Sequence, residues 1–155
     1  MLPSCLGSAI PCFAAMVAAS LSFVAAAQPA PVVGKARAIS GDTLEVGGRI
    51  VRLYGIDAPE EGQMCPRQGK RLDCGREASF ALAFETAEHW VRCEPHRQEP
   101  GALLAVLVAV CFVGPYDLAE IMVTKGWAQA ADVRYARAQE TAKNQRLGIW
   151  AGGGR

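Results

Sequence analysis

The stretch Gly41-Asp42-Thr43-Leu44-Glu45-Val46-Gly47-Gly48-Arg49-Ile50-Val51-Arg52-Leu53-Tyr54-Gly55-Ile56-Asp57-Ala58-Pro59-Glu60 decides how this chain is read. Two short runs, Thr43 to Val46 and Arg49 to Ile56, are rich in β-branched and aliphatic residues, and the Gly47-Gly48 pair between them predicts a tight hairpin. Asp42 then stands at the start of one strand and Asp57 just past the end of its partner, so the hairpin brings the two carboxylates to the same end. Arg52 projects from the second strand, and Glu60 follows beyond the rigid Pro59.

Working outward, Val33 to Ile39 reads as a further strand, and Glu60 to Asp73 lacks clear periodicity and reads as a surface loop. The period then changes. Arg76 to Glu88 places Phe80, Ala81, Phe84 and Ala87 at helical spacing, with Glu77, Glu85 and Glu88 elsewhere, which predicts an amphipathic helix. Trp90 to Glu94 reads as a strand. The apolar run from Ala102 to Val113 is too short to cross a membrane and suits a buried strand, although periodicity leaves a buried helix open. Asp117 to Lys125 carries Leu118, Ile121 and Met122 on one stripe and stops at Gly126, and a third helix is expected over Arg134 to Arg146. Trp90, Trp127 and Trp150 read as core fillers, and His89 and His96 as surface or packing residues. Five strands with helices after the third and fifth predict an α+β fold, a small five-stranded OB-type barrel with about three helices.

The chain has 155 residues, 51% of them hydrophobic, six cysteines and a formal net charge of +1. That leaves room for one domain and excludes a disordered, collagen-like or strongly basic nucleic-acid-coating protein. Every charged residue lies beyond Ala27. The Ala-rich apolar segment before it, ending in Ala25-Ala26-Ala27 and followed by Gln28-Pro29, is expected to be a secretory signal, with a retained anchor as the alternative. The expected division is a signal peptide over 1–27, a linker over 28–32, the domain over 33–151 and a flexible tail over 152–155, in an exported protein that is periplasmic or secreted. Cleavage would remove Cys5 and Cys12. Cys65, Cys74, Cys93 and Cys111 would remain and, in a small exported domain, imply two disulfides. Three pairings are open, and Cys65 with Cys74 and Cys93 with Cys111 is favoured. Zinc is disfavoured, because no two of these cysteines stand in a Cys-x-x-Cys spacing.

The Asp42–Glu60 stretch also carries the chemistry. Two carboxylates meeting at one barrel end, with a backbone carbonyl from the turn, supply the hard oxygen ligands that Ca²⁺ takes. Glu60 could orient or deprotonate a nearby water, and the planar fork of Arg52 could hold a phosphate oxygen. On charge pattern alone the plainer reading prevails: Asp and Glu beside Gly and Pro are most often solvated turn residues.

The segments Gly41-Asp42-Thr43-Leu44, Val51-Arg52-Leu53-Tyr54-Gly55-Ile56-Asp57-Ala58-Pro59-Glu60 and Leu147-Gly148-Ile149-Trp150 match, in order and spacing, the pattern of the staphylococcal-nuclease-like (thermonuclease) family, which the chain resembles from about Val33 to Trp150. The likeness extends to exported bacterial members with a Gln-x-Cys loop, here Gln63-Met64-Cys65, and a Cys-Gly pair, here Cys74-Gly75. The resemblance implies an OB-fold nuclease hydrolysing phosphodiester bonds of DNA or RNA with one Ca²⁺. It implies Asp42 and Asp57 as metal carboxylates, the Ala58 main-chain carbonyl as a further ligand, Glu60 as general base and Arg52 as a phosphate-binding arginine. Tyr135 falls near the family's nucleotide-stacking tyrosines.

Two departures stand out. Ser40 replaces an acidic residue that many members carry before Gly-Asp, which removes a charge beside the metal position. Between Cys93 and Cys111 the family's second phosphate-binding arginine is absent: counted back from Cys111, apolar residues fill its place, and Arg97 is the one arginine left in that segment. A charge-stabilising arginine in phosphoryl transfer is worth roughly 10³–10⁵ in rate. Activity is therefore expected to be weakened unless Arg97 substitutes. The competing readings are a degenerate OB module that binds single-stranded nucleic acid or a protein partner, and a purely structural envelope protein. The expected partner is DNA or RNA, single-stranded, with no stable membrane association after cleavage and the chain a monomer; the weak net charge counts slightly against a dedicated nucleic-acid binder but leaves room for a local groove of Lys35, Arg37, Arg52, Arg134 and Arg137.

Overall fold

A computed structural model describes residues 29–67, 69–96 and 106–152. The expected signal segment, Arg97 and the last three residues of the expected tail lie outside the described residues.

The chain opens with β1 (Val32–Ala38), β2 (Thr43–Val46) and β3 (Arg49–Leu53). Gly47 and Gly48 both take positive φ, 55° and 77°, the left-handed pair that a two-residue hairpin demands. The register pairs Thr43 with Arg52 and Val46 with Arg49. A short β4 (Ile56–Asp57) follows, then the hairpin of β5 (Met64–Arg67) and β6 (Lys70–Asp73), α1 (Cys74–Thr86), β7 (Trp90–Pro95) and β8 (Leu107–Val113). The C-terminal part comprises β9 (Tyr116–Asp117), α2 (Leu118–Thr124), β10 (Gln129–Ala130), a 3₁₀ turn over Val133–Tyr135, α3 (Ala136–Asn144) and a closing 3₁₀ turn over Gly148–Gly152.

The strands run in the order β3-β2-β1-β7-β8, and β8 returns to pair with β3 in parallel, Val51 beside Leu107 and Leu53 beside Ala109. This closes a five-stranded mixed barrel with three helices, the α+β OB-type architecture expected from the sequence. Alternate residues face inward: Leu44 and Val46, Val51 and Leu53, Val91 and Cys93, Ala109 and Cys111 are buried to 1% exposure or less. Leu82 of α1 and Leu118 and Met122 of α2 join the same core. Asp73 caps α1 by accepting the Arg76 N–H at 3.0 Å, and Asp117 caps α2 by accepting the Ala119 N–H at 2.8 Å. The disulfides join Cys65 to Cys74 and Cys93 to Cys111, the latter two being direct register partners on β7 and β8.

Three local expectations are corrected. The stretch Glu60 to Asp73 is not all loop: it contains the β5–β6 ribbon, which lacks apolar alternation because it stands off the barrel. The buried stripe of α1 runs through Cys74, Gly75, Ala78, Leu82 and Thr86, while Phe80 and Phe84 are 61% and 77% exposed. Small residues win this face because α1 lies close against β1. Trp90 is not a core filler either, since it sits on the outer face of β7 and is 65% exposed. Trp127 does pack against the core.

Candidate active site at the end of the barrel

Asp42 is placed by the turn from β1 to β2. Its carbonyl accepts the Leu53 N–H at 2.8 Å, which pins it to β3. Gly41 makes the approach possible: a Cβ there would lie 2.6 Å from the Ala78 Cβ of α1 and 2.7 Å from the Ala58 Cβ. Asp42 is therefore wedged beside the residue that follows Asp57. Asp57 is fixed from the other side, where β4 pairs with β10 and sets Asp57 opposite Gln129.

Arg52 reaches from β3 to both acids. Its Nη2 lies 3.2 Å from Asp42 Oδ2 and 3.3 Å from Asp57 Oδ1. One cationic nitrogen thus bridges the two carboxylates that the hairpin pattern expects at this end. The second oxygen of Asp42, Oδ1, accepts the hydroxyls of Ser40 and Thr43, each at 2.8 Å. Ser40 therefore orients this carboxylate where a second acid would repel it. Asp42 is buried, with 7% of its surface exposed, so these three partners satisfy an otherwise costly charge.

The donor set is small. Among the described residues, no three side chains of His, Cys, Asp or Glu gather as a metal cage. Two carboxylates bridged by one cationic atom nevertheless fit a hard cation that keeps much of its coordination for water and substrate oxygens, as Mg²⁺ and Ca²⁺ do. Ala58, next to Asp57, is buried and touches the Gly41 turn that carries Asp42. Glu60 is exposed and follows the buried Pro59; its N–H donates to Gln63 Oε1 at 3.1 Å. A cavity of about 190 Å³ adjoins this turn, lined by Asp57, Ala58, Gln63, Gln129 and Trp150 among others.

Val108 stands directly beside Arg52 on the parallel strand, and no residue of β8 is an arginine, so that strand brings no guanidinium to the neighbourhood of Arg52.

Tyr135 is corrected. It is 1% exposed, and its hydroxyl donates to Asp117 Oδ2 at 2.8 Å. A ring closed in the core offers no face to a base, and burial together with that bond holds the phenol protonated well above the ordinary tyrosine range. Sequence reasoning missed a different cluster. Tyr54 stacks on His96 with ring centroids 3.6 Å apart and donates its hydroxyl to Asp132 Oδ2 at 2.6 Å, while the Arg134 guanidinium lies 5.6 Å from the Tyr54 ring centre. The hydrogen bond lowers the Asp132 carboxyl below its usual value and raises the phenol. The His96 N–H donates to the carbonyl of Val108, the register partner of Arg52, so this aromatic pair flanks the same barrel end. The available signal was Tyr54 itself, two residues after Arg52 on one strand run. Of the proposed groove cations, Lys35 donates to the Glu88 carbonyl and Arg37 pairs with Glu45, both on the outer barrel wall.

The chain has relatives among known proteins. The succinoglycan biosynthesis protein ExoI of Rhizobium meliloti (strain 1021) is 38% identical to the chain over 144 residues, covering 88% of this chain and 73% of the relative. The profile described as staphylococcal nuclease homologue matches residues 50–152, which takes in Arg52, Asp57 and Glu60 and begins after Asp42. The barrel, its helices and these matches establish that the chain belongs to the staphylococcal nuclease homologue family.

Proposed function

We propose that the protein is an exported Ca²⁺-dependent nuclease that hydrolyses phosphodiester bonds of single-stranded DNA or RNA. The observation that carries this reading is the shared contact of Arg52 Nη2 with Asp42 and Asp57, a cation already seated between two carboxylates at the barrel end. Asp42, Asp57 and the Ala58 carbonyl would hold the ion, which when bound supplies positive charge at the scissile phosphate. Glu60 accepts the proton of the attacking water. Arg52, turned from the acids, holds a phosphate oxygen through its planar fork. The two disulfides support export.

A second reading is favoured by Val108, an apolar residue directly beside Arg52 on a strand that carries no second arginine. The relative named above carries a succinoglycan-biosynthesis name rather than a nuclease name. A module that binds single strands or a protein partner without cutting would retain the same acids.

Digestion of a single-stranded DNA oligonucleotide with and without Ca²⁺ tests the first reading. Slow cleavage that requires Ca²⁺ and disappears in Asp57→Ala is expected. Cleavage no greater than in that variant overturns it, and oligonucleotide binding without cleavage selects the second.

A further inference from the structure

Glu60 has few contacts of its own to hold it in place. It is exposed, and among the described residues its carboxylate makes no hydrogen bond or ion pair. A proton acceptor placed that loosely loses much of its effect, because catalysis by a positioned base depends on geometry of about hydrogen-bond precision. The backbone around it is held closely.

The Glu60 N–H donates to Gln63 Oε1 at 3.1 Å, and the Gln63 N–H donates back to the Glu60 carbonyl at 2.9 Å. These reciprocal bonds close a ring on which Glu60 sits. The Gln63 carbonyl in turn accepts the Cys74 N–H at 2.9 Å and the Gly75 N–H at 3.4 Å, which ties the ring to the first turn of α1. Gly75 packs against the same residue: a Cβ there would lie 1.8 Å from the Glu60 carbonyl oxygen and 2.4 Å from its carbon. The Cys65–Cys74 disulfide staples the far side of the loop to the same helix start. The amide orientation of Gln63 follows from chemistry, because a backbone N–H can only donate, so the oxygen must face Glu60. Gln63 also lines the cavity that contains Asp57 and Ala58. One side chain therefore touches both the seat of the base and the wall beside a metal carboxylate.

We propose that Gln63 is a positioning residue that fixes Glu60 for proton transfer, with Gly75 and the Cys65–Cys74 bridge anchoring it to α1. This rests on the reading of Glu60 as the base. Gln63 touches no reacting atom, and its contribution passes through the Glu60 backbone.

Two variants separate the roles. Gln63→Met keeps the length and loses the acceptor, whereas Gln63→Glu keeps an oxygen for the Glu60 N–H. Gln63→Met is expected to lower kcat about ten- to a hundredfold, the range associated with a misplacement of about 1 Å, with KM and Tm unchanged. Gln63→Glu is expected to restore most of kcat. A rise in KM at constant kcat, or no change in either, overturns the proposal. A second readout needs no activity: amide hydrogen exchange at Glu60 is expected to speed up in Gln63→Met while the barrel amides of β1 to β3 keep their rates, and unchanged exchange at Glu60 also overturns it. Absence of cleavage by the wild-type protein would remove the nuclease reading, and the exchange result would still decide whether Gln63 holds Glu60.

Discussion

Replacing Arg52 with Gln is expected to tighten Ca²⁺ binding even as it weakens the hold on phosphate. One nitrogen of Arg52 lies 3.2 Å from Asp42 and 3.3 Å from Asp57, so a cation shared by these two carboxylates competes with it. The free energy of those two pairs is then subtracted from the binding of the ion. The Arg52 side chain is 47% exposed and that of Asp57 64%, which places their pair at the weak, water-screened end. The side chain of Asp42 is only 9% exposed, so its pair counts for more. Exposed ion pairs contribute about 0.2–1 kcal/mol each, so the two together come to roughly 1–1.5 kcal/mol, close to a factor of ten in affinity. Gln keeps a polar amide of similar reach and discards the charge. Calorimetric titration with Ca²⁺ at about 0.1 M salt is expected to give a Kd about tenfold lower for Arg52→Gln than for the wild type. An equal or higher Kd refutes the argument that the guanidinium occupies the place of the ion. Heat from neither protein refutes the metal site itself.

Three other outcomes follow from the packing and the titrating groups. Gly41→Ala drives a methyl into Ala78 and Ala58 and is expected to cost about 1–3 kcal/mol in urea unfolding while weakening Ca²⁺ binding, since Asp42 must retreat from Asp57; an unchanged midpoint would contradict the wedge. Cys93→Ala combined with Cys111→Ala removes the bridge between register partners and is expected to lower stability by about 2–4 kcal/mol under oxidising conditions, read as a lower denaturant midpoint. The phenol of Tyr135, raised by burial and by Asp117, keeps its proton in the folded state where the unfolded chain loses it. Its stabilisation is thus complete below about pH 10 and drains as pH climbs further, and Tyr135→Phe is expected to cost about 1–2 kcal/mol at neutral pH yet flatten that alkaline fall. A wild-type unfolding profile that stays level from neutral pH to about pH 11 would contradict this assignment.

The hairpin and the encounter of Asp42 with Asp57 were legible because both rest on local rules. A Gly-Gly turn sets the register, and the register sets which residues meet at an end. The stop of the second helix at Gly126 belongs to the same class of short-range signal. The failures share a different cause. Phe80 and Phe84 outrank Ala78 on any scale of hydrophobicity, but which stripe of α1 faces inward depends on how closely the helix must approach β1, and that distance is not written in the helix. Tyr135 falls near the family's stacking tyrosines in chain order alone; its burial depends on Asp117, eighteen positions away, offering a carboxylate oxygen. The β5–β6 ribbon escaped notice because a strand pair outside the barrel needs no apolar alternation. The Tyr54, His96 and Asp132 cluster joins three distant segments, and no single window of sequence contains it.

The parallel seam between β3 and β8 has a consequence for the order in which the molecule comes together. Residues 42–60, which hold Asp42, Arg52, Asp57 and Glu60, are joined by contacts within one hairpin and its adjoining turn, the kind that forms in about 1–10 μs. The strand that seals the barrel begins only at Leu107 and must pay the loop entropy of everything between before it can dock on β3. Cys93 and Cys111 face one another only once β8 has settled along β7. Their oxidation fixes β8 along β7 and so holds in place the strand whose other edge closes the barrel on β3, around chemistry laid down much earlier in the sequence.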